Sequence, residues 1–177
     1  MSTTVPKLTY AEYACYPDDG HRHEIIDGDH YMNPAPNIYH QVIAQRINHQ
    51  LYTQVELQGL GRVFFAPIDV QLGPHDIVQP DLLVVLEGNR IIKPSRIIGP
   101  PDHVIEILSP SSDGSDRSLK RTLYQRAGVK EYWIVDPAEA SLTQLVLGES
   151  SYEVRDHGEV VAASYAADIR VDFARVW

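Results

Sequence analysis

The sequence predicts an α/β (α+β) protein, and three observations carry that prediction. Three short runs, Pro80-Asp81-Leu82-Leu83-Val84-Val85, His103-Val104-Ile105-Glu106-Ile107-Leu108 and Glu131-Tyr132-Trp133-Ile134-Val135-Asp136, are almost continuously apolar. Such runs read as strands buried on both faces. A basic helical segment, Asp116 to Ala127, separates the second run from the third. A longer stretch, Ile38 to about Gln58, places Ile38, Val42, Ile43, Ile47, Leu51 and Val55 at helical spacing. An ionised carboxylate in a doubly buried strand is expensive unless a partner neutralises it, so Asp81 and Glu106 demand an explanation.

In chain order, Thr9 followed by Glu12 has capping-box spacing and opens a short helix over Thr9 to Ala14, which Pro17-Asp18-Asp19-Gly20 ends. His23 to Met32 reads as an N-terminal hairpin turning at Asp27-Gly28, with Glu24 on its first arm. Gly59 and Gly61 stop the long helix. Val63 to Ala66 and Ile68 to Leu72 then read as strands bent at Pro67, and Gly73-Pro74-His75-Asp76 as a turn before the strand that contains Asp81. The glycines and prolines between Glu87 and Pro101 predict a surface loop. Ser109 to Ser115 is turn chemistry, with Ser115 or Asp113 available as N-cap of the basic helix. Leu119 and Leu123 mark that helix's buried side and Gly128 its C-terminal end. Short strands follow at Leu142 to Leu147, Tyr152 to Arg155, Glu159 to Val161 and Val171 to Phe173.

The 177 residues suit one domain, 1–177, without a second-domain linker or internal repeat. Cys15 stands alone, so an intrachain disulfide is excluded and a reducing compartment is the simpler expectation. The first residues lack a signal-peptide core and no run approaches the roughly 20 apolar residues needed to span a bilayer, so a soluble, cytoplasmic protein with no membrane partner is expected. Net charge is -9, from 15 Lys plus Arg against 24 Asp plus Glu. That disfavours holding nucleic acid by charge over a broad surface, but it leaves room for a nuclease, because a bound cation reverses the local sign. Arg117, Lys120, Arg121, Arg126 and Lys130 crowd one window, either as a solvated helix face or as phosphate contacts.

If Asp81 and Glu106 lie on neighbouring strands, their carboxylates can converge on one divalent cation. Mg²⁺ takes oxygen ligands and keeps several waters, so two carboxylates and the main-chain carbonyl of Ile107 suffice. Such a cation lowers the pKa of a bound water and neutralises charge in an in-line displacement at phosphorus. Lys120, about 100° round the helix from Leu119, supplies a point charge to orient water or steady the phosphate, with Tyr124 one turn later on the same flank. Arg117 and Arg121 can hold flanking phosphates, and His40 at the start of the long helix can help. Each has a plain structural alternative. Asp81 and Glu106 can be acids caught by a turn or salt bridge, Lys120 a snorkelling lysine, and His40 a capping or packing residue. Asp136 reads as a turn residue, and the other histidines show no zinc spacing.

These residues resemble a known family. Gln79-Pro80-Asp81-Leu82, Val104-Ile105-Glu106-Ile107-Leu108-Ser109-Pro110-Ser111, Asp116 to Tyr124 and Gly128 to Pro137 are similar to the Uma-type restriction endonuclease family of the PD-(D/E)XK, or restriction endonuclease-like, superfamily. Glu24 to Gly28 and Pro36 to His40 fit as well, so coverage runs roughly from 8 to 147. The resemblance implies a restriction endonuclease-like core with a mixed β-sheet flanked by helices, Mg²⁺-dependent nuclease chemistry in which Mn²⁺ can substitute, and a site of Asp81, Glu106 and Lys120. The superfamily's basic motif sets its lysine two residues after the acid, where this chain has Leu108. The resemblance implies that the lysine has moved to the helix, at Lys120. It also offers Glu24 as a further metal ligand, against the alternative that Glu24 pairs with Arg22 or Lys7 at the surface.

Three functions follow as expectations. The first is a metal-dependent endonuclease acting on DNA. The second is a catalytically inactive module of the same fold that binds nucleic acid or serves assembly, and the third is a homodimer binding a small ligand in the same cleft. An apolar C-terminal region with Val171, Phe173 and Trp177 suggests a homodimer in any case.

Overall fold

The structure, a computed structural model, describes residues 6–33, 35–109, 114–155 and 159–177, and the side chains of residues 114–116 lie outside that description. The elements in chain order are α1 (Tyr10–Tyr13), β1 (Arg22–Ile26), β2 (Asp29–Asn33), α2 (Ile38–Leu51) continued by a π-helical turn (Tyr52–Glu56), β3 (Gly61–Phe65), β4 (Val70–Gly73), β5 (Asp76–Val78), β6 (Leu82–Leu86), β7 (Ile97–Ile98), β8 (His103–Ile107), α3 (Gly114–Ala127), β9 (Glu131–Asp136), β10 (Ser141–Leu147), β11 (Tyr152–Arg155), β12 (Val160–Ala163), β13 (Ala166–Asp172) and a final 3₁₀ turn (Phe173–Arg175).

Local chemistry accounts for most boundaries. Thr9 Oγ1 accepts from the Ala11 N–H at 3.2 Å while Glu12 accepts from the Thr9 N–H at 2.8 Å, so the capping box forms and α1 starts there. Asp27 and Gly28 both have positive φ, 53° and 85°, which suits the two-residue turn joining β1 to β2. Asn37 accepts from the His40 N–H at 2.8 Å and caps α2. Gly128 (φ 85°) closes α3, as its left-handed backbone allows.

The central sheet has six strands in the order β11-β10-β9-β8-β6-β3. All of its pairs are antiparallel except β8 with β9, which run parallel because α3 carries the chain across between them. A five-stranded sheet, β2-β1-β5-β4-β7, and the β12-β13 hairpin complete the mixed architecture. Alternation along the central strands serves two cores at once. Leu82, Val84, Ile105, Ile107, Trp133 and Val135 pack with Ile43, Ile47 and Leu51 of α2 and with the β12-β13 hairpin. Leu83, Val85, Val104 and Tyr132 pack on the other face with Leu123 and Tyr124 of α3 and with Ile26, Val70 and Val78 of the second sheet. Both faces are covered, which is why these strands read as unbroken apolar runs.

Several expectations change. Asp81 stands just before β6 rather than within a strand, because the intervening β5 pairs with β4 and makes residues 73–76 a hairpin turn. The two strands around Pro67 belong to different sheets, so they are not one bent element. The segment from Glu87 to Pro101 contains β7, which pairs in parallel with β4 through Val70 and Gln71. Ile38 is 85% exposed, since the buried stripe of α2 begins with His40. Val171 and Phe173 are buried in this chain's own core and Trp177 packs beside them, so the apolar C-terminus covers α2 and leaves the expected homodimer without its basis. The N-cap assigned to Ser115 or Asp113 lies outside the described residues. Among the described residues no helix is long and apolar enough to cross a membrane.

At the far end of β8 and β9, Glu131 is fully buried and accepts from Trp133 Nε1 at 2.6 Å, from the Ser164 hydroxyl at 2.7 Å and from Gln144. His103 stacks edge-on against Trp133 and meets the Tyr165 hydroxyl at 3.3 Å. Burial lowers the His103 pKa from 6.5 to about 4, with the Glu131 charge opposing. Between those values the unfolded chain binds the extra proton, so stability falls as the pH falls from 6.5 towards 4. The full effect is about 3 kcal/mol. Urea titrations at pH 7 and pH 4.5 are expected to show wild type losing more stability than His103→Gln; equal losses would mean that the ring is protonated in the fold.

Candidate active site between the two sheets

Five segments deliver polar side chains to one buried place. The strand β1 brings Glu24, which faces the same core as Ile26, and the approach to β6 brings Asp81. Glu106 comes from β8, while Lys120 and Tyr124, one helical turn apart, come from α3. His40 reaches in from the first turn of α2. Glu24, His40, Asp81, Glu106, Lys120 and Tyr124 are all buried.

Lys120 is the centre of one half of the cluster. Its Nζ donates to Glu106 Oε1 at 3.0 Å and stands 3.2 Å from the Glu24 carboxylate. Tyr124 donates its hydroxyl to the same Glu106 oxygen at 2.6 Å. Glu24 also accepts from the Gln79 N–H and from Asn33 Nδ2, both at 2.8 Å. Asp81 forms the other half. Its Oδ1 accepts from Arg22 at 2.6 Å, and its Oδ2 accepts from the Ile107 N–H at 2.8 Å and meets His40 Nε2 at 3.0 Å. The same His40 nitrogen is 3.1 Å from the Ile107 carbonyl oxygen, while His40 Nδ1 is buried without a hydrogen-bond partner among the described residues. Because Ile107 adjoins Glu106 on β8, that backbone ties the two acids together.

The acids are tuned in opposite directions. Burial alone would raise Asp81, but the His40 hydrogen bond and the Arg22 and His40 charges outweigh it and bring its pKa down to about 2. Glu106 goes up to about 7, first because it is buried and then because Asp81 and Glu24 repel its charge, with Lys120 and Tyr124 opposing. Burial and the Glu106 charge also keep the Tyr124 hydroxyl protonated, so it remains a donor. Two carboxyl groups with separated pKa values can divide the labour of an anionic anchor and a proton acceptor near neutrality.

Asp81, Glu106, Lys120, Glu24, Tyr124, His40 and the Ile107 carbonyl do meet, as the sequence reading expected. Their contacts differ in part. Glu24 is buried and paired with Lys120, whereas Lys7 pairs with Asp27 and Arg22 with Asp81, so the surface pairing is replaced. Tyr124, expected beside the substrate, is fully buried and donates its hydroxyl to Glu106. Arg121 is exposed, and its charge is felt by Tyr152 on β11, away from the acids. Arg117 stands at the edge of the site, held by Asp136 at 2.7 Å, and Asp136 caps the Ala138 N–H as well. Arg22, which secures Asp81, and Asn33 were missed. Arg22 shares a strand face with Glu24, two residues on, and that parity was the available signal.

Among the described residues no group of three or more histidine, cysteine or acidic side chains stands at a spacing to hold a metal ion. The donor chemistry nevertheless suits a hard cation. Asp81 Oδ2 and the Ile107 carbonyl share one neighbour, His40 Nε2, at 3.0 and 3.1 Å, so a carboxylate oxygen and a carbonyl oxygen converge on one point.

Comparison with known proteins agrees with this architecture. Residues 10–169 match the Uma2 family, described as "Putative restriction endonuclease". An uncharacterized protein of Synechocystis is 24% identical over 178 aligned positions, covering 99% of this chain and 89% of that protein. The crystal structure of a protein from Anabaena variabilis, described as a putative nuclease belonging to DUF820, superposes with a TM-score of 0.79 at 24% identity, covering 96% of this chain and 97% of the other. At that identity the superposition speaks for the fold.

The cluster makes opposite predictions for its two charges. Lys120→Met strands two buried carboxylates and is expected to cost about 3–5 kcal/mol at pH 8. Glu106→Gln is expected to stabilise the fold there. Its raised pKa means that the folded state binds more protons between about pH 4.5 and 7, so wild-type stability falls as pH rises through that window and the variant escapes a loss of up to about 3 kcal/mol. The slope opposes that of His103, so each is read as a difference from its own variant. A neutral Lys120→Met at pH 8 would contradict the buried ion cluster.

Proposed function

The chain belongs to the Uma2 family, and from that membership we propose that it is a Mg²⁺-dependent endonuclease hydrolysing phosphodiester bonds of DNA with a water nucleophile. The observation that carries the proposal is the meeting of Asp81, Glu106 and Lys120 in one buried cluster, although they come from three separate elements. Asp81, Glu106 and the Ile107 carbonyl are the groups that would hold the cation, with Mn²⁺ able to replace Mg²⁺. When bound, the cation supplies charge neutralisation at the phosphoryl oxygens and a lowered pKa for water.

The protein's own groups supply the rest. Asp81 is kept ionised by Arg22 and His40, so its charge is in place before substrate arrives. Glu106, held at its Oε1 by Lys120 and Tyr124, is the carboxylate that would accept the proton of the attacking water. Tyr124 pins the acid's Oε1, which limits the positions from which it can do so. Lys120 is a pre-oriented cation beside Glu106 and stabilises negative charge as it grows on the phosphate in transit. Glu24 holds the Lys120 ammonium from the opposite side and so acts as a positioning residue.

A second reading is favoured by one feature. Both Asp81 oxygens are already engaged by Arg22, His40 and the Ile107 N–H, which suits a nuclease fold that binds nucleic acid without turning it over. Incubation of supercoiled plasmid with Mg²⁺ or Mn²⁺ separates the two. Wild type is expected to nick and linearise it, and Asp81→Ala, Glu106→Ala and Lys120→Ala to lose about 100-fold or more. Cleavage that survives in all three variants, or is absent from wild type, would end the hydrolytic proposal.

A further inference from the structure

Beside the acid cluster lies a cleft of about 390 Å³ lined by Asn37, Tyr39, His40, Leu108, Ser109, Arg117, Asp136, Pro137 and Ala138. We propose that it binds one unpaired nucleotide of the strand to be cut, with the Tyr39 ring as the surface on which the base stacks. The inference rests on the nuclease reading of the neighbouring acids and goes beyond it by naming the form of the substrate. Four observations support it.

The cleft shares His40 with the site, and His40 Nε2 touches Asp81 and the Ile107 carbonyl, so an occupant is one side chain away from the acids. Tyr39, on the first turn of α2, is 45% exposed and lines the cleft, so its ring is accessible to an occupant. Leu108, Pro137 and Ala138 add apolar wall suited to a flat face, while Arg117, fixed by Asp136, keeps a guanidinium for a phosphate. Asn37 spends its carboxamide oxygen on the His40 N–H, which leaves the amide nitrogen to donate. The volume suits one small ligand, and a paired base cannot enter it without leaving its stack.

Net charge completes the case. A chain at -9 cannot hold a duplex by a broad basic surface, so affinity has to come from a few local contacts, and base stacking is the strongest of those that need no charge.

The test is fluorescence anisotropy with an end-labelled single-stranded DNA, the same sequence as RNA, and the corresponding DNA duplex, in Ca²⁺ at several salt concentrations. Wild type is expected to bind the single strands at least about tenfold tighter than the duplex. Tyr39→Ala should lose about 5- to 100-fold on single strands, Tyr39→Phe should retain wild-type binding, and Arg117→Ala should weaken binding while lowering the salt slope by about one phosphate contact. Tighter binding of either single strand than of the duplex supports the cleft, and the tighter-binding of the two strands identifies the preferred sugar. Equal binding of duplex and single strand, or a Tyr39→Ala protein that binds like wild type, overturns the proposal. The two readings fail separately: plasmid cleavage insensitive to Tyr39→Ala sinks the cleft alone, and Tyr39-dependent strand binding without cleavage sinks hydrolysis alone.

Discussion

The ammonium of Lys120, lodged between the carboxylates of Glu24 and Glu106, is the contact on which the rest depends. It joins β1, β8 and α3, which are distant in sequence, and it does so where water is scarce. Taking these charges out of water is costly, and their attraction repays that cost only if the geometry is good and the remaining lone pairs are satisfied. Here the remaining donors come from Tyr124, Asn33 and the Gln79 backbone. The arrangement is balanced rather than saturated: two acids share one lysine, and the strain appears as a Glu106 carboxyl whose pKa is pushed upward. A fold selected for stability alone would have replaced the trio with apolar side chains.

That tension explains why the central strands are built as they are. Covering both faces of β6, β8 and β9 excludes water from the cluster, and the same exclusion strengthens every charge interaction within it. The opposite end of β8 and β9 carries a second buried acid, Glu131, whose pKa is lowered despite burial by the neighbouring His103 and then by hydrogen bonds from Ser164 and Gln144. One sheet therefore holds two buried glutamates in contrasting states. Glu131 is satisfied by hydrogen bonds and anchors the C-terminal hairpin through Ser164; Glu106 is left with repelling neighbours in a place that a cleft adjoins.

Much of this was legible in the chain. The apolar runs marked the central strands because doubly buried strands carry no alternation to confuse, and the acids within or beside them stood out for that reason. Lys120 could be placed by helical phase against Leu119 and Leu123. The second sheet was harder, since β5 and β7 are short, flanked by turn residues, and stabilised by pairing with β4 rather than by any pattern of their own. Arg22 and the inward contacts of the His40 ring escaped for a different reason. Whether Arg22 meets Glu24, two residues away, or Asp81, far along the chain, is decided by tertiary closure, and the capping position of His40 does not reveal that its ring turns inward to two oxygens. The C-terminal apolar residues misled because an apolar edge looks the same whether it covers its own helix or another subunit.

The overall acidity of the chain also takes on meaning. A surface that repels phosphate over most of its area leaves recognition to the few places where cations are held, and the cluster's own positive groups are largely consumed by its carboxylates. Arg117 is different, because Asp136, its acidic partner among the described residues, sits on the wall of the cleft and leaves the Arg117 side chain 42% exposed. If the cleft takes a base as proposed, selectivity becomes a matter of shape and of what can leave its stack, since a net charge of -9 disfavours an intact duplex while a displaced base would meet an aromatic ring and one cation. On the proposed nuclease reading, the buried acids serve the chemistry while the negative charge of the surface makes indiscriminate binding unfavourable, so one sign of charge has two uses.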